Sequence, residues 1–315
     1  MKKIFVTLLK IALVIVCVWY ALDGITINDL SSAFAKVDWR IMAIGVAYQY
    51  CVFVPMGVRI RMIAGHNFPF SMGYQAAILA TGMNNLLPAK LGEVAKVTLL
   101  SKCPQCGIGR AVSIVVWERF SDLNSMLIIG GVGMMFLHHE AAMLPVGILT
   151  GIFWLVIFLF HVKPQVVRTR IEKITHVPTK HFLTDFFNLI AHDISLPFFL
   201  KLALCTLSIW ATDYFFVALV MNGICGLDLS WIQLFTVFFF TIVGLAIPST
   251  PGGAGVFEAA VIMGLTTTGI SKDVALSSAL ILHMLMFVPP AIGGVAVLFM
   301  NKLSVKDLRG KTLKA

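Results

Sequence analysis

The sequence predicts an all-α polytopic membrane protein, with about six transmembrane helices and two re-entrant helical hairpins in inverted arrangement. Three observations carry this. Of the 315 residues, 59% are apolar and 12% charged, where a soluble domain carries about 25% charge. Too few polar side chains exist to cover a water-facing surface, and the mean hydropathy is +0.92. The apolar residues fall in blocks of about seventeen or more, the length that crosses roughly 30 Å of hydrocarbon. Two blocks are interrupted near their centres by proline and glycine. A soluble enzyme, a nucleic-acid-binding module and a disordered chain are excluded. No polar stretch is long enough for a soluble catalytic domain, so none is expected.

Residues 1–315 are read as a single integral membrane domain. Lys2 and Lys3 precede a first apolar block at 4–22, expected as a retained anchor. The alternative is a signal peptide, but Ala33-Phe34-Ala35 lies too far beyond the block to serve as its cleavage site. An amphipathic stretch with Asp29, Lys36 and Asp38 is expected along the interface. Uninterrupted spans follow at about 40–57, 111–136, 144–161, 198–221 and 274–300. The first hairpin covers about 73–102 and breaks at Leu87-Pro88-Ala89. The second covers about 231–268 and breaks at Pro248-Ser249-Thr250-Pro251-Gly252-Gly253. Arms of about 13–17 residues are short for a span. Proline removes a backbone donor, so such breaks survive at depth only within protein or a polar cavity.

Charge sets the expected orientation. Lys2 and Lys3, the group Arg59, Arg61, Lys102 and Arg110, the group Lys163 to Lys180, and the tail from Lys302 to Lys314 all fall on one side. The other side holds only Lys36, Arg40 and Lys272. Both termini are therefore expected in the cytoplasm of a multi-pass protein. The net charge of +9 sits in these short edges, so no nucleic-acid partner is expected. Membrane lipids are the expected partners, and the oligomeric state is open, a homodimer included.

Ionisable side chains inside a membrane cost roughly 2.5–3.5 kcal/mol each and need partners or a task. Here they are Lys90, Glu93, Lys96, Glu118, Arg119, Asp122, Asp213 and Glu258, five acids against three bases. Glu118 and Asp122 share a helical face at i, i+4, with Arg119 turned about 100° away. One reading makes these charges structural ion pairs; the other makes them a cavity for a lipid headgroup. Helix starts expected near Ala89 and Gly253 present N–H groups suited to an anion. Gly92, Gly252, Gly253 and Gly255 permit close backbone approach. Lys90 and Arg119 would supply charge, with Asn85, Pro88 and Pro251 at the tips. Glu93 and Glu258 are read equally as first-turn caps or as proton- or ion-coupling groups. Asp213 and His283 are further coupling candidates, His283 being also a plain hydrogen-bonded core residue.

Other signals are discounted. The PGGAG run lacks the following Lys-Ser/Thr of a nucleotide loop. Cys103-Pro104-Gln105-Cys106 is an isolated pair with no nearby His, so no metal is expected, and no cofactor. His138 and His139 are read as solvated.

The runs NNLLPAKLGEVAKVTLL, VVWERFSDL and IPSTPGGAGVFEAA, in that order, resemble the flippase-like membrane domain of lysylphosphatidylglycerol synthases. Stand-alone bacterial and archaeal membrane proteins share that domain. The resemblance covers about residues 40–300, and PGGAGVFE is its most specific part. It implies a lipid translocase or scramblase-like module of a bacterial or archaeal cytoplasmic membrane, with paired re-entrant helices meeting near the midplane. It does not extend to the lysyl-transferring domain, so no enzymatic activity is carried over. At His283 many relatives place an arginine, and a phosphate-binding role there is not carried over. A transporter of a small soluble anion and an enzyme of lipid-linked sugar metabolism are the alternatives.

Overall fold

A computed structural model of the chain describes residues 38–65, 67–87, 90–136, 164–173, 195–247 and 251–303, with isolated positions at 31, 35, 147, 148, 151, 152, 154, 155 and 184. The expected anchor at 4–22, most of the 144–161 block, the loop histidines, Pro88 and the basic tail beyond Leu303 lie outside the described residues.

Every regular element among the described residues is helical. In chain order these are α1 (Trp39–Ala64), α2 (Phe70–Leu86), α3 (Leu91–Leu100), α4 (Ile108–Phe136), α5 (Pro164–Glu172), α6 (Leu196–Ala218), α7 (Trp231–Ala246), α8 (Val256–Thr267) and α9 (Lys272–Met300). Three are long and apolar enough to cross a membrane: Arg40–Ala64, Leu196–Ile224 and Lys272–Met300, of 25, 29 and 29 residues, against about 20 needed. The second continues from α6 through a π-helical turn, Leu219–Ile224. Asn222 then clamps the following loop by donating to the Leu229 carbonyl (2.8 Å) and accepting from its N–H (2.9 Å). Helix α4 is equally long but carries Glu118, Arg119 and Asp122 near its middle.

The two interrupted blocks are helix–break–helix segments, with arms of 17 and 10 residues in the first and 16 and 12 in the second. The second arms are shorter than the 13–17 expected. Backbone conformation explains both. Lys90 sits at φ 54°, so α3 starts at Leu91; Gly252, Gly253 and Gly255 sit at φ 75°, 74° and 84°, so α8 starts at Val256 rather than near Gly253. L-residues avoid this left-handed region, which glycine enters freely. Helix α7 begins with a capping box: Ser230 Oγ accepts from Gln233 N–H, and Gln233 returns to the Ser230 N–H.

The contacts divide into two compact units, Met1–Val54 with Ala77–Ala95 and Ile209–Ala315, and Pro55–Ala76 with Lys96–Ser208. In the first, α7 packs on α8 and α8 on α9. Small residues set this packing: a Cβ on Gly82 would stand 2.1 Å from the Pro290 carbonyl oxygen, and one on Gly294 2.9 Å from the Gly82 Cα. Lipid tails are as apolar as leucine, so helices in a membrane gain mainly from such close approach. In the second unit Trp117, 1% exposed, packs edge-on against Phe120, Phe198 and Phe199 at 5.5, 5.1 and 5.7 Å between centroids.

Gly82→Ala must displace backbone and is expected to cost about 1–3 kcal/mol, read as a lower unfolding temperature of the purified protein in detergent. Gly130→Ala, on α4 with nothing within 4 Å of its Cβ position, is expected to leave that temperature unchanged or raise it.

Candidate functional site

The first unit brings the two breaks together. Asn85, at the end of α2, donates to the Phe287 carbonyl of α9 at 3.2 Å. A Cβ on Gly252 would lie 3.6 Å from the Asn85 carbonyl oxygen and 3.7 Å from the Phe287 ring. Helix α9 therefore holds both breaks at one level of its length. Pro289 and Pro290 remove two N–H donors there. Tyr50 donates to the Pro289 carbonyl at 2.8 Å.

Each break is tied internally. At the first, Gly92 N–H donates to Asn84 Oδ1 (2.9 Å), and Asn84 Nδ2 donates to Glu93 Oε1 (3.4 Å). Gly92 must be glycine, because its Cβ would stand 2.0 Å from the Ala80 carbonyl oxygen. At the second, Glu258 Oε2 accepts from the Gly255 N–H at 2.7 Å, the cap expected of an acid in a first turn. The other oxygen, Oε1, is 2.5 Å from His283 Nδ1, and His283 Nε2 is 3.1 Å from the Gly252 carbonyl oxygen. Phe257 and Phe287 flank the imidazole, with ring centroids 4.8 and 4.1 Å away.

Of the remaining sequence candidates in this unit, Lys90 is exposed and Gly253 lies in the turn beside Gly252. Pro251 opens that turn, Pro251–Gly253. Asp213 is partly buried on α6, next to Thr212, whose carbonyl accepts from Tyr48 at 3.4 Å.

The second unit assembles the charges of α4. Lys96 Nζ donates to Glu118 Oε2 at 2.8 Å, Arg59 Nη2 lies 3.6 Å from Glu118 Oε1, and Arg59 Nη1 donates to Asp122 Oδ1 at 2.7 Å. Thr206 Oγ1 is 3.4 Å from the same Arg59 nitrogen. Arg119 Nη1 stands 3.8 Å from Asp122 Oδ2 with its side chain 49% exposed, whereas Arg59 is 1% exposed. Among the described residues, three cations serve these two carboxylates, and the most exposed of them is Arg119. A half-exposed guanidinium suits phosphate or carboxylate.

Arg59 is the residue sequence reasoning misplaced. It was expected among the charges of a water-facing edge, but α1 runs on to Ala64 and stops only at Gly65, with φ 117°. Arg59 is thereby inside the helix, beside the fully buried Ile60. The acid excess among the intramembrane charges was the available signal: Glu118 and Asp122 needed a further cation.

The sequence model of the lysylphosphatidylglycerol synthase TM region matches residues 7–294. The chain belongs to this family. The match starts well before the runs from which the resemblance was read, and it establishes a membrane protein. No curated protein matches the chain. In this family member the PGGAGVFE run forms the second break and its cap, and the ER-x-x-D run supplies Glu118, Arg119 and Asp122 to the charge cluster.

The Cys103–Cys106 pair forms a turn outside the spans, closed by Cys106 N–H donating to the Cys103 carbonyl at 2.9 Å. Burial, reinforced by Cys103 and opposed by Arg110, pushes the Cys106 thiol up to about 11. The thiolate is the nucleophile, so maleimide labelling of Cys106 is expected to be slow near neutrality and to accelerate as pH rises toward that value. Lys96→Met leaves Glu118 buried with only the longer Arg59 contact, and is expected to cost about 3–5 kcal/mol. Lys96→Met with Glu118→Met restores charge balance and should recover most of that loss in the same thermal unfolding measurement.

Proposed function

We propose that this protein is a lipid translocase, flippase or scramblase-like, moving an anionic or aminoacylated lipid headgroup between leaflets while the acyl tails stay in the bilayer. In this reading six spans and two re-entrant hairpins lie in a bacterial or archaeal cytoplasmic membrane with both termini cytoplasmic. The hairpins act as gates in the manner of alternating access. The chain works as a transporter and not as an enzyme.

The observation that carries the reading is the meeting of Asn85 and Gly252 at Phe287 on α9. Interrupted helices are where membrane transporters place polar backbone for a substrate. Family membership points the same way, toward lipid. Arg119 adds a guanidinium half open to its surroundings, the group best suited to a phosphate diester or a terminal carboxylate. A small soluble anion would use the same guanidinium, so the choice of substrate tests the reading.

The protein reconstituted in liposomes with labelled phospholipid, or with labelled polyprenyl phosphate, is expected to move one of them across the bilayer faster than protein-free vesicles. Arg119→Ala combined with Glu258→Ala is expected to lower that rate about a hundredfold. Equal rates in the variant and the natural sequence reject these site residues. Transport of a soluble anion with no movement of lipid rejects the lipid reading.

A further inference from the structure

The hydrogen count at His283 is restrictive. A carbonyl only accepts, so the Nε2 contact to the Gly252 oxygen requires hydrogen on Nε2. The 2.5 Å contact between Nδ1 and Glu258 Oε1 requires one more, on either atom. Without it two lone pairs face each other. Imidazolium with carboxylate and neutral imidazole with carboxylic acid both satisfy the geometry, and both hold the same single labile proton. The second carboxyl oxygen is occupied by the Gly255 N–H.

The surroundings isolate the pair. Helix α8 presents Glu258 and Phe257, the 251–253 turn presents the Gly252 carbonyl, and α9 presents Phe287. Asn85 from α2 reaches the Phe287 carbonyl and does not titrate. Among the described residues, Glu258 is the charged group in contact with His283. The side chains are 11% and 15% exposed.

We propose that Glu258 and His283 form a one-proton binding site that latches the second break, and that release of this proton frees the break during translocation. This rests on the translocase reading above for its role and on the geometry alone for its existence. When the proton leaves to bulk water, the pair passes from neutral to a net charge of −1. One hydrogen remains on the imidazole. The carboxylate is the stronger acceptor, so that hydrogen settles on Nδ1, and Nε2 turns a lone pair toward the Gly252 carbonyl. The turn then loses its tie to α9.

Two substitutions separate a proton site from a structural contact. In Glu258→Gln the amide oxygen accepts from Gly255 N–H and the amide nitrogen donates to Nδ1, leaving Nε2–H for Gly252. Every bond persists with no labile proton. His283→Ala removes the tie at any pH. Hydrogen exchange of the full-length protein in liposomes, corrected for the intrinsic pH dependence of exchange, reads the amides of residues 252–258. In the natural sequence their protection is expected to fall about tenfold or more between about pH 6 and about pH 9. Glu258→Gln should stay protected throughout, and His283→Ala should be unprotected at both values. Constant protection in the natural sequence, or a Glu258→Gln variant as pH-sensitive as the natural one, overturns the proposal. Lipid movement is measured on the same vesicles. A pH-dependent break without lipid movement supports the proton site and removes the translocase reading; lipid movement with a pH-invariant break does the reverse.

Discussion

A helix interrupted in an apolar environment leaves backbone N–H and C=O groups that water cannot satisfy, each costing roughly 2–7 kcal/mol if unmet. The first unit answers this constraint with side chains. Asn84 takes the Gly92 N–H, Glu258 takes the Gly255 N–H, and His283 reaches the Gly252 carbonyl. Each tie comes from a polar residue whose presence in an apolar chain would otherwise be unfavourable. The breaks and the polar residues therefore depend on each other: removing either leaves the other unpartnered.

The second unit solves a different problem with the same economy. Glu118 and Asp122 lie one turn apart on α4, where mutual repulsion and burial would disfavour two carboxylates. Arg59 and Lys96, from α1 and α3, neutralise them. Arg119 adds a longer contact to Asp122 on the exposed side of the cluster. Buried ion pairs of this kind contribute little net stability, because desolvation offsets attraction. Their effect is to fix which faces of three helices meet.

Much of this was legible in the sequence. Pro88 and Pro251 marked the two breaks because proline removes a backbone donor, although Pro55, Pro289 and Pro290 lie inside α1 and α9, and Glu258 was readable as a cap from its place three residues past Gly255. The shift of the α8 start to Val256 was not, since glycine's permissiveness does not say which glycines will use it; three of them do. The partner of Glu258 was also hidden. His283 is 25 residues further along the chain, and only the packing of α8 on α9 brings it there. Arg59 was misplaced because basic residues near the end of an apolar run usually mark the water boundary. Nothing local shows that a helix continues past one.

The contact between Gly82 and Gly294 has a consequence for the two breaks. Its strength comes from atoms in direct touch, not from expelling solvent. A side chain added at either position must push α2 and α9 apart, and with them the approach of Asn85 and Gly252 to Phe287.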